Sequence, residues 1–166
     1  KTRRKQGSLI YPQNFFERLY HHLSPFNLLQ LYIAYIDKKP SAGIIFLRDR
    51  NTAIYSYGAS YGNPKHLAIG INQAVMWEAI KHAFKSGITI IDFGTTPIHL
   101  KSLLEYKRKW STDIHNGYYS FYSENGKFGP SIDRQGIFPQ LISKVIPKLP
   151  LSVYKRLSPT ILKVVL

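Results

Sequence analysis

Between Leu29 and Tyr57 one pattern recurs three times with little between, and this decides the fold class. Leu29–Ile36, Ala42–Arg48 and Thr52–Tyr57 are apolar runs rich in Leu, Ile and Tyr. Asp37-Lys38-Lys39-Pro40 and Asp49-Arg50-Asn51 separate them as turn signals. Connections this short predict antiparallel hairpins. The period then changes. Gly58-Ala59-Ser60-Tyr61-Gly62-Asn63-Pro64 reads as a loop, and Leu67–Lys85 carries Val75, Met76, Ala79, Ile80, Ala83 and Phe84 at helical spacing. Ser86-Gly87 stops that helix. Ile88–Phe93 is apolar without alternation, which predicts a strand covered on both faces. A helix over Tyr11–Ser24 precedes the meander. A helix over Ile98–Lys107 and a strand over Gly117–Tyr122 complete the order.

Hairpins followed by a strand–helix–strand crossover imply an α/β chain, with a central mixed sheet flanked by helices. Thr52–Tyr57 and Ile88–Phe93 are expected side by side and parallel, with Leu67–Lys85 crossing between them. Residues 1–126 form the expected domain. Residues 127–166 hold five prolines, among them Pro147, Pro150 and Pro159, so only short helices are expected there. Lys144, Lys148, Lys155, Arg156 and Lys163 interleave with apolar residues in this tail. Such pieces suit an anionic membrane surface, cover for the core, or docking on a further domain.

Charge narrows the partners. The chain of 166 residues has 23 Lys and Arg against 9 Asp and Glu, a net charge of +14. That excess favours polyanions: phosphorylated cofactors, tRNA or anionic lipid. The absence of cysteine removes disulfides, a thiol nucleophile and thiolate metal sites. No HExxH, GxSxG or GxxxxGK[ST] segment occurs, so zinc peptidase, serine hydrolase and P-loop chemistry are set aside, and no metal is expected. Asp92-Phe93-Gly94 is no kinase signature either, since no Gly-rich loop or HRD-type segment accompanies it. No apolar run reaches the roughly 18 residues of a membrane span. The start, Lys1-Thr2-Arg3-Arg4-Lys5, carries neither Met nor an apolar signal core, and reads like the interior of a longer, cytoplasmic protein.

Four places can carry chemistry. Lys65, His66 and Gly70 lie where a helix start offers unpaired N–H groups to phosphate, or else form an ordinary basic loop. Asp92, at the carboxyl end of a strand, is a proton acceptor or the cap of a backbone turn. Lys107 can stabilise an oxyanion, or simply sit as a cation at a helix C-terminus. Arg3 and Arg4 suit phosphate or carboxylate, or form a solvated arm.

The basic opening, Tyr57-Gly58-Ala59-Ser60, Trp77-Glu78-Ala79, Asp92-Phe93-Gly94 and Tyr106-Lys107-Arg108-Lys109-Trp110 occur in an order that resembles the FemAB / BioF2-like acyltransferases, over about Lys1–Tyr122. Ser111 stands where that family usually has Gly. The resemblance implies a GNAT-type fold and acyl transfer to an amine of a cell-envelope or polysaccharide precursor, from acyl-CoA or aminoacyl-tRNA. It implies Lys107 at the reaction centre, Lys65–Gly70 near the donor phosphates, and Asp92 and Tyr57 lining the cleft. Tyr106, Arg3 and Arg4 are expected on the substrate. It also implies that this is the second of two GNAT-like domains, the first lying on the N-terminal side, while the basic tail suggests a site of action at the inner face of the membrane. A non-catalytic module binding RNA or anionic lipid is the alternative the charge permits.

Overall fold

β1 (Leu29–Ile36) and β2 (Lys39–Asp49) meet through a two-residue turn. Its two residues, Asp37 and Lys38, have φ of 49° and 61°. Two positive φ values give the turn the twist that antiparallel strands need. β2 thus starts three residues before the expected Ala42, and Pro40 is a strand residue rather than part of the turn. Ala34 faces Ala42 while Tyr35 faces Pro40, so Ser41 is an extra residue and the register shifts. A bulge tolerates a residue with no N–H, which is why proline fits there. β3 (Thr52–Ser60) pairs antiparallel with β2 and continues through Gly58, Ala59 and Ser60, which the sequence assigns to a loop.

The computed structural model describes residues 9–98, 100–110, 113–118, 122 and 144–165. The chain divides into two compact units. One is Leu19–Tyr118 and the other joins Lys1–Arg18 to Tyr119–Leu166.

In the first unit the sheet order is β1-β2-β3-β4, with β4 (Ile90–Asp92) parallel to β3. The expected parallel neighbours are therefore found. The expected burial of Ile88–Phe93 on both faces is not: only three residues pair, β4 ends the described sheet, and Ile90 is 53% exposed. The apolar run is used at its two ends instead. Ile88 and Phe93 are both buried in the core, outside the strand. Gly117, Tyr118 and Tyr122 are not in a strand, and residues 119–121 of that expected element lie outside the described residues.

The expected helix Leu67–Lys85 is two helices, α2 (Pro64–Ala68) and α3 (Ile71–Lys85). Gly70, at φ +74°, breaks the run. That left-handed conformation costs glycine little and ends a right-handed helix. Ile71, Val75, Met76, Ala79 and Ala83 of α3 are buried against Ala42, Ile44, Phe46 and Ala53 of the sheet. Phe84 shares the helical spacing but is exposed. At the far end Gly87 has φ +79°. Its N–H donates to the Phe84 carbonyl and the Ile88 N–H to the Ala83 carbonyl, closing the helix and turning Ile88 into the core.

α4 (Lys101–Arg108) follows β4. α1 (Gln13–Leu23) lies within the expected Tyr11–Ser24 and carries the boundary between the units. In the second unit Tyr11 stacks on Phe15 at 4.5 Å, with Phe16 edge-on to Phe15 at 5.2 Å. The tail contains a helix longer than the prolines predict, α5 (Leu151–Val165), with Pro159 inside it. Pro159 removes one helical bond, yet Tyr154 on this helix is 1% exposed, and the burial of its ring offsets the loss. Among the described residues no helix is long and apolar enough to cross a membrane.

Candidate functional site

β3 and β4 stay together for three rungs only. Thr52 faces Ile90, Ala53 faces Ile91 and Ile54 faces Asp92. β3 then runs on to Ser60, paired to β2 alone among the described residues. From Tyr55 onward no described strand pairs with β3 on the β4 side, and the two parallel strands part. A strand edge offers N–H and C=O groups at regular spacing to an extended, amide-containing ligand.

A bulge shapes that edge. Phe46 faces Tyr55 and Ile45 faces Tyr57, so Ser56 is extra. Beyond it the alternation is inverted. Gly58, facing Ile44, joins Tyr55 on the face that packs against α3, and Tyr57 turns to the opposite face. Tyr55 is packed edge-on against Phe46 at 6.2 Å and Phe93 at 6.1 Å. Its hydroxyl lies where a side chain at position 58 would begin, so only glycine fits there. Burial, and then the neighbouring Tyr106, push the Tyr55 phenol above its usual value of 10.0. Burial likewise raises Tyr106, against a hydrogen bond from the Trp110 indole that lowers it.

The end of β4 and α4 converge on one residue. Asp92 Oδ1 accepts the Gly94 N–H at 2.6 Å. Gly94 has φ +65°, turning the chain sharply out of the strand. Lys107 Nζ donates to the Gly94 carbonyl at 3.0 Å and to the Thr95 carbonyl at 3.3 Å. Partial burial holds the Lys107 ammonium below its usual 10.5, and the Asp92 charge opposes that shift. The two expected catalytic residues are thus brought together through Gly94. Both local alternatives read from the sequence are also present, since Asp92 caps a turn and Lys107 lies in the last turn of α4. An ammonium has three N–H groups, and two are accounted for.

The expected phosphate site changes shape. Gly70 is not in the first turn of a helix that starts near Leu67. It precedes Ile71 as the left-handed cap of α3. Asn63 caps α2 by accepting the Lys65 N–H at 3.0 Å. Its amide Nδ2 lies 3.4 Å from His66 Nε2, while His66 Nδ1 is buried with no partner among the described residues. A buried polar atom without a partner is a place for a ligand group or water. Thr96 Oγ1, two residues beyond Gly94, is in the same condition. Lys65 is exposed. Arg3 and Arg4 lie outside the described residues. No cluster of metal-ligating side chains occurs among the described residues.

Sequence reading missed Tyr55, and it placed Gly58 in a loop rather than in β3. Strand alternation puts Tyr55 and Tyr57 on one face, and a bulge of one residue carries no sequence signal strong enough to reverse that.

The comparisons agree on the fold. No curated protein sequence matches the chain. Among solved structures, an aminoglycoside acetyltransferase from an uncultured soil metagenomic sample, in complex with trehalose, superposes with a TM-score of 0.52. It is 13% identical, over 69% of this chain and 75% of that one. AAC(6')-Iy in complex with the bisubstrate analogue CoA-S-monomethyl-acetylneamine gives a TM-score of 0.54 at 10% identity, over 68% of this chain and 82% of that one. Residues 1–108 match the acetyltransferase (GNAT) domain. With parting parallel strands, a helix crossing between them and this match over most of its length, the chain belongs to the GNAT acetyltransferase-domain family.

Proposed function

We propose that this chain is the catalytic domain of an N-acyltransferase of the FemAB / BioF2-like branch. It moves an acyl group from acyl-CoA to an amine of a cell-envelope precursor, a peptidoglycan or polysaccharide building block. One observation carries this reading: β3 and β4 part just where Asp92 and Lys107 meet around Gly94. The CoA-based bisubstrate analogue in AAC(6')-Iy supports a CoA donor for the same fold.

In this reading the donor phosphates lie at Lys65, His66 and Gly70, where the orphan His66 Nδ1 accounts for one contact. The pantetheine amides pair with the edge of β3 beyond its last rung with β4, and Tyr57 and Tyr106 contact substrate. The acceptor amine attacks the thioester carbon. A C–N bond forms, the C–S bond breaks and the thiolate leaves, with the amine proton passing to Asp92 or to water. With no cysteine in the chain, direct attack replaces a thiol-bound intermediate. The third N–H of Lys107 meets the developing oxyanion, held in place by the two carbonyls that take the others.

Residues 1–126 form the catalytic domain and residues 127–166 a basic tail. Arg3 and Arg4 bind the acceptor. An N-terminal GNAT-like domain completes the acceptor side, and the tail keeps this cytoplasmic protein at the inner face of the membrane. An aminoacyl-tRNA donor would make tRNA the partner instead.

A second reading has one observation in its favour. Lys107 already spends two of its N–H groups on backbone carbonyls, as a purely structural cation would. The chain would then be a binding module for RNA or anionic lipid. Calorimetry on the full-length protein with acetyl-CoA and with aminoacyl-tRNA separates the cases. Binding of acetyl-CoA is expected. Binding of aminoacyl-tRNA alone would move the donor, and binding of neither would leave the module.

A further inference from the structure

We propose that Tyr55 sets the length of the acyl group this chain accepts, by closing the narrow end of the opening between β3 and β4. The inference rests on the acyl-CoA reading above and adds the size class of the group transferred.

Ile54 and Asp92 form the last shared rung of the two strands. The next residue on each is aromatic, Tyr55 on β3 and Phe93 beyond β4. Their ring centroids are 6.1 Å apart at an interplanar angle of 61°. The apex of the opening is therefore shut by two rings on the side that faces α3. Phe93 is buried, and Tyr55 is also held edge-on by the fully buried Phe46.

The Tyr55 ring does not point away from the opening. Because Ser56 bulges, Tyr55 and Gly58 share a face, and the ring reaches along β3 to cover Gly58. A Cβ at position 58 would lie 3.0 Å from Tyr55 Cζ and 3.3 Å from Cε2, and would collide with the hydroxyl. Phe46, Phe93 and the Gly58 backbone thus hold the ring on three sides, leaving it little room to swing aside.

Direction follows from the two ends of that edge of β3. The candidate phosphate residues lie beyond Ser60, in α2 and at the cap of α3. A donor anchored there and laid along β3 points its acyl end at Tyr55. The run Tyr55–Ser60, which no described strand pairs on the β4 side, spans six residues, roughly 17 Å of strand. Each methylene added to the acyl group extends it toward a ring that cannot yield, and the packing cost rises steeply. A phenol is un-ionised near neutral pH, and burial moves Tyr55 further that way, so the wall presents no charge to an uncharged acyl group.

The test is calorimetric affinity of the full-length protein for acetyl-CoA and hexanoyl-CoA, with no acceptor present. Wild type, Tyr55→Phe, Tyr55→Leu and Tyr55→Ala are compared. The ratio of the two dissociation constants is the readout, since it does not depend on the fraction of protein folded. Wild type should favour acetyl-CoA by about tenfold or more. Tyr55→Phe keeps the ring and should keep the preference. Tyr55→Leu and Tyr55→Ala should bring the ratio near unity, mainly by tightening hexanoyl-CoA. A wild-type ratio near unity, or a ratio that survives Tyr55→Ala, overturns the assignment while leaving acyl-CoA as the donor. Failure of wild type to bind any CoA thioester overturns the donor reading, and this inference with it.

Discussion

The Lys107 ammonium sits 3.0 Å from the Gly94 carbonyl oxygen, so α4 holds the loop that leaves β4 through a single side chain. The Gly94 N–H is held in turn by Asp92. One glycine is therefore gripped at both ends, by the two residues assigned to the reaction. Lys107→Ala should lower single-turnover rates by about a hundred- to a thousandfold, with donor affinity changed far less. Circular dichroism should show the fold retained. Near-normal turnover would reduce Lys107 to a structural cation. Asp92→Asn should be mild if Asp92 only orients Gly94, and severe if it accepts the proton.

The pH dependence has a defined sign. Burial lowers the Lys107 titration in the folded chain below the unfolded 10.5. Between those two values the folded protein holds fewer protons than the unfolded one, so Lys107 contributes stability that rises with pH. Activity moves the other way, because the oxyanion needs the ammonium. The rate profile should show an alkaline limb below 10.5, moved to higher pH in Lys107→Arg. A limb unmoved by Arg would assign it to another group.

At the other end of the opening, Lys65→Ala combined with His66→Ala should weaken acetyl-CoA binding by about 1–3 kcal/mol, roughly five- to 150-fold. Dephospho-CoA and pantetheine serve as controls, since a loss confined to phosphate-bearing donors is expected. Unchanged affinity in the double variant would remove both residues from the donor site.

Gly58→Ala should destabilise the domain by about 1–3 kcal/mol, because the new methyl meets the Tyr55 hydroxyl. Tyr55→Phe removes that oxygen and should restore part of the loss when combined with Gly58→Ala. Thermal unfolding of the two single variants and the double checks it. Additive losses would mean that the two residues do not touch in solution.

The parts of this fold that were legible in the sequence are those set by local pattern. Leu29–Ile36 is a strand to the residue, and the expected parallel neighbours Thr52–Tyr57 and Ile88–Phe93 do pair, through Thr52–Ile54 and Ile90–Asp92, as the crossover requires. The closeness of Asp92 and Lys107 was legible because one ends a strand and the other ends the helix that follows it, and both reach Gly94. What stayed hidden depends on single backbone angles. Gly70 breaks a helix whose side chains are otherwise well spaced. Pro40 looks like a terminator until the bulge at Ser41 makes room for it. Ser56 inverts the faces of Tyr55, Tyr57 and Gly58, so the residues at the apex cannot be read by counting in twos. Ile88–Phe93 misleads because its hydrophobicity serves burial at the two ends, not a doubly covered strand. Pro159 misleads because the burial of the Tyr154 ring offsets one lost bond.

The three-rung seam between β3 and β4 has a kinetic consequence. Each strand of the β1–β2–β3 meander is secured along most of its length by an antiparallel neighbour. β4 has three parallel rungs, helped at one end by Asn51, whose carbonyl accepts the Thr89 and Ile90 N–H groups and whose amide donates to Thr89 Oγ1. Among the described residues, fluctuations that detach β4 break far fewer bonds than those that open the meander, so its amides should exchange with solvent earlier than those of β2. A ligand laid between the strands would act as the missing rungs of that seam. Its arrival should then be recorded as slowed deuterium uptake at Ile90, Ile91 and Asp92, before any product is formed.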